Sequence, residues 1–556
     1  MSVALMALAA ALVTPVPAQA AGPPLVRTDA GWVRGENTAE GRQFLGIPFA
    51  QPPVGGLRWR EPRPVRPWQG VRGAGDFGNK CVQSASWDPG YEQPSHTEDC
   101  LDLNVYAPEG AGRRAVMVWF HGGGLTAGAG QDVVPDAFAR QTGTVVVTAN
   151  YRLGAMGFLA TEGLDGEARD GVSGNFGMLD QQAALRWVRA NIARFGGDPG
   201  RVTIAGESAG GRSVCTQLAS PTAKGLFRAG IIQSGAYGDC GARTQGAAVA
   251  QGAAFARKLG CADPADKAGR ADKAGRADKA DQAVTADQAV TADQAVTADQ
   301  AVMATLACLR AKPAAEILAA QNGFDWAPVA GGAFLPRQPE EAFARGAAAG
   351  VPVMNGANQD EGRLFAFARF DLNGTPLTAE QYPAVMRSDF GDEALAAYPL
   401  SAHPSPTIAY ATAQGDQLFA CPALRLDGGL AGRGKVYAYE FADRTSPPFA
   451  SLRNLGTDFD FGATHVNEVQ YLFKHFGLRT PLNAEQRTLA RQMIQYWGSF
   501  VRDGVPRAAG EPAMPAGPGT VLALRTSSAG GNVPSTTVHS EHRCNLWDAE
   551  TVTQNG

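Results

Sequence analysis

A five-residue motif near the middle of the chain has the spacing of an activated serine. Gly206-Glu207-Ser208-Ala209-Gly210 fits the pattern G-x-S-x-G, in which the serine lies on a sharp turn from a strand into a helix. Small residues on either side let the strand and the helix approach closely, so that the hydroxyl projects from the turn. The helix N-terminus behind the serine favours negative charge that develops there. This arrangement predicts nucleophilic attack by Ser208 on a carbonyl carbon.

The motif alone is a weak signal, because the chain contains 68 glycines. The residues around it are more specific. Residues 202–205 are an apolar, β-branched run that predicts a strand, and residues 209–218 have the composition of a helix. A strand that leads in and a helix that leads out are the context that the motif requires. We therefore favour a reactive Ser208 over a passive serine in a glycine-rich turn.

A second glycine-rich segment, His121-Gly122-Gly123-Gly124, directly follows another apolar run. Attack on an ester carbonyl creates an oxyanion, which needs N–H donors that are already in place. Consecutive glycines allow the backbone to turn its N–H groups towards a substrate, and Ala209, the residue after the serine, is expected to supply a further donor. A bare glycine run is usually only a loop. Its position after a strand and before the serine motif favours an oxyanion-binding role.

A serine hydroxyl needs a base, and in this arrangement the chain order is serine, acid, histidine. Of the seven histidines, His96 and His121 precede Ser208 and are excluded by that order. His465 lies in a loop of small residues after a predicted strand and is the preferred base. His403 is assigned to a loop between prolines and His475 to a helix. His539 and His542 are assigned to the polar C-terminal tail.

The acid of the expected triad is harder to choose from the sequence. Asp360 and Glu361 are adjacent and follow the strand-like segment 351–354 after a turn. Either carboxylate could orient the histidine and stabilise its imidazolium. Many such acidic pairs are only solvated, so the pattern of residues leaves the choice between them open.

Short apolar runs that alternate with helix-like segments are expected to position these groups. Continuous β-branched runs of this kind suit buried parallel strands. Residues 178–193 carry an apolar face with helical spacing. The alternation predicts an α/β fold, with a large, mainly parallel central sheet and helices on both of its faces. The predicted strands are 115–120, 144–149, 201–205, 351–354 and 435–441.

Composition indicates a globular protein. The chain has 556 residues, of which 44% are hydrophobic and 18% are charged, and its net charge is −4. Nearly balanced charge leaves no basic footprint for nucleic acid or for an anionic membrane surface. Large α/β enzymes reach this length as one unit, so residues 21–556 are predicted to be a single domain.

The first 20 residues predict an export signal. The apolar stretch 3–13 precedes an Ala-x-Ala cleavage pattern that ends at Ala20, although no Lys or Arg comes before it. An ordinary N-terminal helix is the alternative. No other apolar stretch approaches the ~20 residues of a membrane-spanning helix. The eight cysteines contain no Cys-x-x-Cys pair, and an even number in an exported chain favours disulfides. We therefore predict a secreted or periplasmic protein.

Residues 265–302 differ from the rest of the chain. Two copies of the hexapeptide Ala-Asp-Lys-Ala-Gly-Arg are followed there by repeats of a second hexapeptide, Asp-Gln-Ala-Val-Thr-Ala. Six residues advance a helix by about 240°, so the repeated valines do not share one face. The segment is predicted to be a solvated insertion, partly helical or disordered, that carries no chemistry. A β-solenoid is the competing interpretation, and the Ala, Asp and Lys content disfavours it.

Taken in order, the motifs of this chain resemble those of the type-B carboxylesterase and cholinesterase family. The similarity runs from about residue 26 to residue 547. It implies the α/β-hydrolase fold and hydrolysis of carboxylic esters. The segments that carry it are FLGIPFAQPPVG at 44–55, EDCLDLNVY at 98–106, NYRLG at 150–154, GNFGMLDQ at 174–181, FGGDP at 195–199, GESAGG at 206–211 and QSG at 233–235.

The resemblance also implies roles for individual residues. Ser208 matches the family's nucleophile, Glu361 matches its triad acid in preference to Asp360, and His465 matches its base. Gly123, Gly124 and Ala209 match the oxyanion-hole donors. Three further positions match residues adjacent to the triad: Glu207, Ser234 and Glu468.

The same resemblance implies structural features. The disulfides would be Cys81–Cys100, Cys261–Cys308 with the repeat in the loop that it closes, and Cys421–Cys544. Cys215 and Cys240 have no assigned partner. Arg58–Glu98 and Arg152–Asp180 resemble structural ion pairs of the family. Trp87 loosely resembles a cholinesterase tryptophan that stacks on quaternary ammonium, but packing is the favoured interpretation of it.

The expected activity is therefore hydrolysis of a small or medium carboxylic ester through an acyl-enzyme intermediate. No metal or organic cofactor is expected, the expected partner is a small-molecule ester substrate, and a monomer is favoured. The same groups could cleave a carbamate, an amide or a polyester. A catalytically silent binding protein is the alternative from another class, and the intact triad disfavours it.

Overall fold

The computed structural model describes residues 22–85, 94–110, 112–261, 292–475, 478 and 480–554. The export signal predicted at 1–20, Trp87 and most of the repeat lie outside these residues. The repeat's last part, from residue 292, begins the helix Ala292–Ala311. The strands are β1 Leu25–Arg27, β2 Trp32–Arg34, β3 Glu36–Thr38, β4 Gly41–Pro48, β5 Val71–Gly73, β6 Asp102–Ala107, β7 Arg114–Phe120, β8 Val133–Val134, β9 Val145–Ala149, β10 Gly197–Glu207, β11 Ala229–Gln233, β12 Arg243–Thr244, β13 Val329–Ala330, β14 Val353–Asn358, β15 Val436–Phe441, β16 Lys474–His475, β17 Val521–Leu524 and β18 Val533–Ser535.

Eleven of these strands form one sheet, in the order β18-β17-β15-β14-β11-β10-β7-β9-β6-β4-β3. The strands from β9 to β17 in this order run parallel to their neighbours, and antiparallel strands flank them on both sides. The prediction of a large, mainly parallel sheet is confirmed. Each of the five predicted strands overlaps a strand of this parallel block, although β14 begins two residues later than predicted and β10 extends beyond the prediction at both ends. They were recognisable because fully buried parallel strands are continuously apolar.

Helices cover both faces of the sheet, and the side chains of β7 pack against helices on both sides. Val116 and Val118 pack into one core with the helix Phe176–Asn191, whereas Met117 and Trp119 pack into the other with the helix Ala484–Asp503. Successive side chains of a strand point to opposite faces. The α-helices are Asp136–Thr142, Gly154–Phe158, Glu162–Glu167, Phe176–Asn191, Ala209–Ala219, Gln245–Lys258, Ala292–Ala311, Ala314–Ala320, Pro339–Ala344, Gly362–Ala366, Tyr382–Ala397, Pro406–Gly415, Cys421–Ala431, Ala450–Asn454, Val469–Leu472, Ala484–Asp503, Val538–Glu541 and Cys544–Gln554.

Two of the histidine assignments are wrong. His475 was expected in a helix, but the helix ends at Leu472 and His475 lies in β16, which pairs with β8 from a distant part of the chain. His542 was expected in the polar tail, but it is only 6% exposed and contacts the buried side chains of Asp416 and Glu440. In both cases the deciding contact comes from residues far away in sequence.

Four disulfides are present among the described residues. The three pairs implied by the family resemblance are all formed. The fourth joins Cys215 to Cys240, for which the sequence suggested no partner, and it attaches the helix Ala209–Ala219 to the segment that follows β11. Disulfides are typical of proteins that fold in an oxidising compartment. Within the described ranges, no helix combines the length and the apolar composition that a membrane crossing requires.

Candidate active site

Ser208 lies on a strained turn between β10 and the helix Ala209–Ala219. Its φ is 53° and its ψ is −121°, a conformation that non-glycine residues rarely adopt. The glycines of the motif are required by close packing, because a Cβ on Gly210 would lie 2.0 Å from the carbonyl oxygen of Phe120. A Cβ on Gly206 would lie 2.4 Å from the carbonyl carbon of Gly210. This is the strand-turn-helix context that the motif predicts.

The two adjacent carboxylates, between which only the family resemblance chose Glu361, have different contacts in the structure. Oε2 of Glu361 lies 2.5 Å from Nδ1 of His465, and Oε1 of Glu361 accepts a hydrogen bond from the backbone N–H of Asn358. Asp360 points elsewhere and forms ion pairs with Arg363 and Arg444. Glu361 is therefore the carboxylate that contacts the histidine.

The other nitrogen of the histidine faces a second carboxyl group. Nε2 of His465 lies 3.2 Å from Oε1 of Glu207, and both side chains are buried. Burial acts to lower the pKa of His465, but the carboxylates of Glu207 and Glu361 outweigh it and raise the pKa to about 9. Burial also raises the pKa of Glu207 well above its usual value. The side chains of His465 and Glu207 therefore bind protons as a coupled pair.

Three backbone N–H groups belong to the residues that are predicted to be oxyanion donors. Gly123 and Gly124 have φ values of 102° and 62°, which favour glycine, and both line the same cavity as Ser208. Ala209 is the first residue of the helix, where N–H groups have no partner within the helix. Among the residues that the structure describes, none accepts a hydrogen bond from these three N–H groups. They are available to a substrate oxygen.

Glu468, a predicted neighbour of the triad, lies in a buried network with side chains that the sequence analysis missed. Glu468 is fully buried and accepts hydrogen bonds from Nδ2 of Asn358 and Nε2 of Gln233. Trp497 donates in turn to Oε1 of Gln233, so the network reaches the helix Ala484–Asp503. Ser234 lies at the end of β11 with a φ of 49°, and its buried hydroxyl has no hydrogen-bond partner among the described residues. No local pattern marks Asn358, Gln233 or Trp497 as members of this network.

Two aromatic rings hold the imidazole of His465. The ring centroids of Phe365 and Phe419 each lie 4.9 Å from that of His465, and the two phenylalanines stack on each other. Phe365 belongs to the helix Gly362–Ala366, which follows Glu361, and Phe419 belongs to the π-helical turn Asp416–Ala420. Turns of this type occur frequently at functional sites.

A cavity of about 510 Å³ opens at Ser208, within the range of small-molecule binding sites. Phe324, Trp326 and Phe449 contribute aromatic walls. Of the described residues that line the cavity, only Glu207 and His465 have ionisable side chains. Elsewhere in the described chain, no three His, Cys, Asp or Glu side chains are grouped so that they could hold a metal ion.

The sequence is similar to curated esterases along most of its length. A fumonisin B1 esterase of Sphingopyxis macrogoltabida is 34% identical over 522 residues, which cover 88% of this chain and 84% of that protein. A cocaine esterase of Oryctolagus cuniculus is 34% identical over 528 residues, which cover 88% of this chain and 89% of that protein.

Solved structures show the same relationship. A carboxylesterase of Geobacillus stearothermophilus superposes with a TM-score of 0.73 at 30% identity, and the match covers 94% of this chain and 99% of that one. A PNB esterase superposes with a TM-score of 0.71 at 30% identity and the same coverage. These neighbours have the α/β-hydrolase fold, so the predicted fold class is confirmed.

The sequence model of the carboxylesterase family matches residues 22–547, which confirms the resemblance inferred from the motifs. Members of this family act on small-molecule esters. This chain therefore belongs to the carboxylesterase family and is a hydrolase of carboxylic esters.

Proposed function

We propose that Ser208, Glu361 and His465 are the catalytic triad of this esterase. The observation that carries the proposal is the 2.5 Å contact between Glu361 and His465, beside the cavity that both Ser208 and His465 line. Glu361 contacts Nδ1 of the imidazole, so Nε2 is the nitrogen left to take the serine proton, and Glu361 stabilises the imidazolium that forms during the reaction.

The reaction proceeds in two acyl transfers. His465 takes the proton from Oγ of Ser208 as this oxygen attacks the carbonyl carbon, and the N–H groups of Gly123, Gly124 and Ala209 hold the oxyanion. The tetrahedral intermediate collapses, the bond to the alcohol oxygen breaks, and His465 gives its proton to the leaving alcohol. Water then attacks the acyl-enzyme with His465 again as base, which releases the acid and restores the serine.

The direct test is turnover of p-nitrophenyl acetate combined with labelling by an organophosphate. We expect serine-dependent hydrolysis, stoichiometric inactivation, and phosphorylation of the peptide that contains Ser208, as measured by mass spectrometry. Labelling at another serine, or hydrolysis that persists after complete labelling, would show that the triad is assigned to the wrong residues.

Glu207 is proposed to set the pH dependence of the reaction. His465 must be neutral to act as a base, so kcat/KM falls as the pH drops through the pKa of this histidine. Because Glu207 and Glu361 raise that pKa to about 9, the acid limb of the profile is expected well above the ordinary histidine value of 6.5. Glu207→Gln removes one of the two acidic groups that raise the pKa of His465 and is expected to move this limb to lower pH.

The measurement is kcat/KM for p-nitrophenyl acetate from pH 5 to pH 10, with the spontaneous rate subtracted. Glu393→Gln is a matched control, because Glu393 is exposed on the helix Tyr382–Ala397. An acid limb that stays in place in Glu207→Gln would contradict the proposed role of this carboxyl group.

The lining of the cavity favours neutral esters of small or medium size. The walls are aromatic and the described lining residues include no Lys or Arg, so an anionic acyl group finds no permanent cation there, and Glu207 adds an acidic group. Burying an unpaired charge is costly. We expect kcat/KM for p-nitrophenyl butyrate to exceed that for p-nitrophenyl hemisuccinate by about 10-fold or more. If the two esters have equal kcat/KM values at both low and high salt, this selectivity is ruled out.

We also infer that the protein is exported as a single domain of residues 21–556, with the repeat at 265–302 as an insertion, and that it acts as a monomer. The Ala-x-Ala pattern at 18–20 and the four disulfides support export. N-terminal analysis of the expressed protein would locate the cleavage site, and light scattering would give the mass in solution.

A further inference from the structure

A second buried group of ionisable side chains lies apart from the residues that the proposed mechanism uses. Nδ1 of His542 contacts Oδ1 of Asp416, and its Nε2 lies 2.7 Å from Oε1 of Glu440. The exposed fractions of His542, Asp416 and Glu440 are 6%, 2% and 3%. A histidine held between two buried carboxylates serves as their shared counter-ion when it is protonated.

The three residues come from three different parts of the fold. Asp416 is the first residue of the π-helical turn Asp416–Ala420, and Glu440 lies in β15 opposite Ala357 of β14. His542 precedes Cys544, which forms a disulfide with Cys421 directly after the turn. The turn is therefore attached at both of its ends to the C-terminal segment, by the ionic contact at Asp416 and by the disulfide at Cys421.

This turn reaches the triad. It carries Phe419, whose ring packs on His465 and stacks on Phe365. Asp416 and His542 also line a cavity of about 190 Å³ together with Glu361. The ionic group thus lies beside the acid of the triad and is linked to the base through Phe419, although none of its members is among the described residues that line the cavity at Ser208.

The positive charge of protonated His542 balances the negative charges of Asp416 and Glu440. Burial acts to lower the pKa of His542, but Asp416 and Glu440 outweigh it and raise that pKa well above 6.5. Asp416 also accepts a hydrogen bond from the hydroxyl of Tyr398, which in turn accepts one from Trp547. Without the imidazolium, the two buried carboxylates would lose their shared counter-ion. The other ionisable groups around this cavity and Asp416 are Asp360, Arg363, Arg444, Glu541 and Arg543.

We propose that His542 is a positioning residue for the triad. By holding Asp416 to Glu440, it fixes the turn that presses Phe419 against His465, and so it keeps the imidazole in its reactive orientation. The proposal rests on the assignment of His465 as the catalytic base. Misplacement of a catalytic group by about 1 Å through a distant change can cost about 100-fold in rate.

His542→Gln tests the proposal, because glutamine is polar but cannot carry the positive charge. We expect kcat per active site to fall by between about 10-fold and about 100-fold, with KM for p-nitrophenyl acetate changed less than about 3-fold. Active sites are counted by organophosphate titration, which in the wild type also tests the proposed nucleophile independently. His539→Gln is the matched control, since His539 lies in the same segment but is exposed and contacts Asp548. It is expected to retain wild-type kcat.

A double-mutant cycle with Phe419→Leu separates positioning from general destabilisation. If His542 acts through Phe419, the double variant has about the kcat of the slower single variant. Losses that multiply would overturn the proposal, as would a kcat per site in His542→Gln equal to that of the wild type. Should His542→Gln not fold, Glu440→Gln takes its place in the same cycle, and the same two results decide.

Discussion

Ser208→Ala is expected to lower kcat for p-nitrophenyl acetate by about 10⁶-fold, the loss seen when the nucleophile of a serine triad is removed. The substitution deletes only Oγ, and alanine fits wherever serine does, although the positive φ of this position stays strained. The N–H groups of Gly123, Gly124 and Ala209 remain, so a residual rate of about 10³-fold over the uncatalysed reaction is expected.

The control for this variant is Ser220→Ala at the other end of the same helix. Ser220 is buried and donates a hydrogen bond to the carbonyl oxygen of Phe334, so its loss affects stability but not chemistry. Thermal unfolding of both variants shows whether the fold is intact. Ester hydrolysis by Ser208→Ala within about 100-fold of the wild type would exclude Ser208 as the nucleophile.

Glu361→Gln is expected to lower kcat by about 10⁴-fold with little change in KM. Glutamine keeps the shape of the side chain but removes the negative charge beside Nδ1 of His465. The imidazolium that forms during acyl transfer then lacks its counter-ion, and the amide can hold the imidazole in the wrong tautomer. The measurement is steady-state hydrolysis of p-nitrophenyl acetate, corrected for the number of sites that an organophosphate can titrate.

Asp360→Asn is the matched control, because the two carboxylates are adjacent and both are buried. Asp360 forms ion pairs with Arg363 and Arg444 and does not contact His465. Its substitution is therefore expected to lower the unfolding temperature and to leave kcat within about 3-fold of the wild type. A larger loss of kcat in Asp360→Asn than in Glu361→Gln would reverse the assignment of the acid.

Several parts of the fold and the site could be predicted from the sequence because they depend on local patterns. The strand that contains Val116 and Val118 is continuously apolar, and the glycines around Ser208 reflect a close approach of strand and helix. The order of the motifs was specific enough to suggest the family, which the comparisons confirm. Through the family, the sequence also suggested three of the four disulfides.

Other features depend on contacts between distant residues. His475 pairs with β8 across the fold, and the partner of Cys215 is set by where the chain returns after β11. His542 looked like part of a polar tail because nothing near it in sequence indicates that Asp416 and Glu440 surround it. A local pattern records the period of an element, and it holds no information about which other element will pack against it.

The sequence by itself predicted Ser208 as the nucleophile, the glycine segment before it, and the chain order of the acid and the histidine, because each of these is a matter of residue type and spacing. The pattern of residues left the choice between the carboxyl groups at 360 and 361 open, and only the family resemblance favoured Glu361. The tertiary structure shows that Glu361 contacts His465 and that Glu207 faces the other side of the same ring. Those choices depend on the direction in which buried side chains leave the ends of parallel strands. That direction is set when β10, β14 and β15 pair within one sheet, which brings the loop after β15 to the ends of the other two strands.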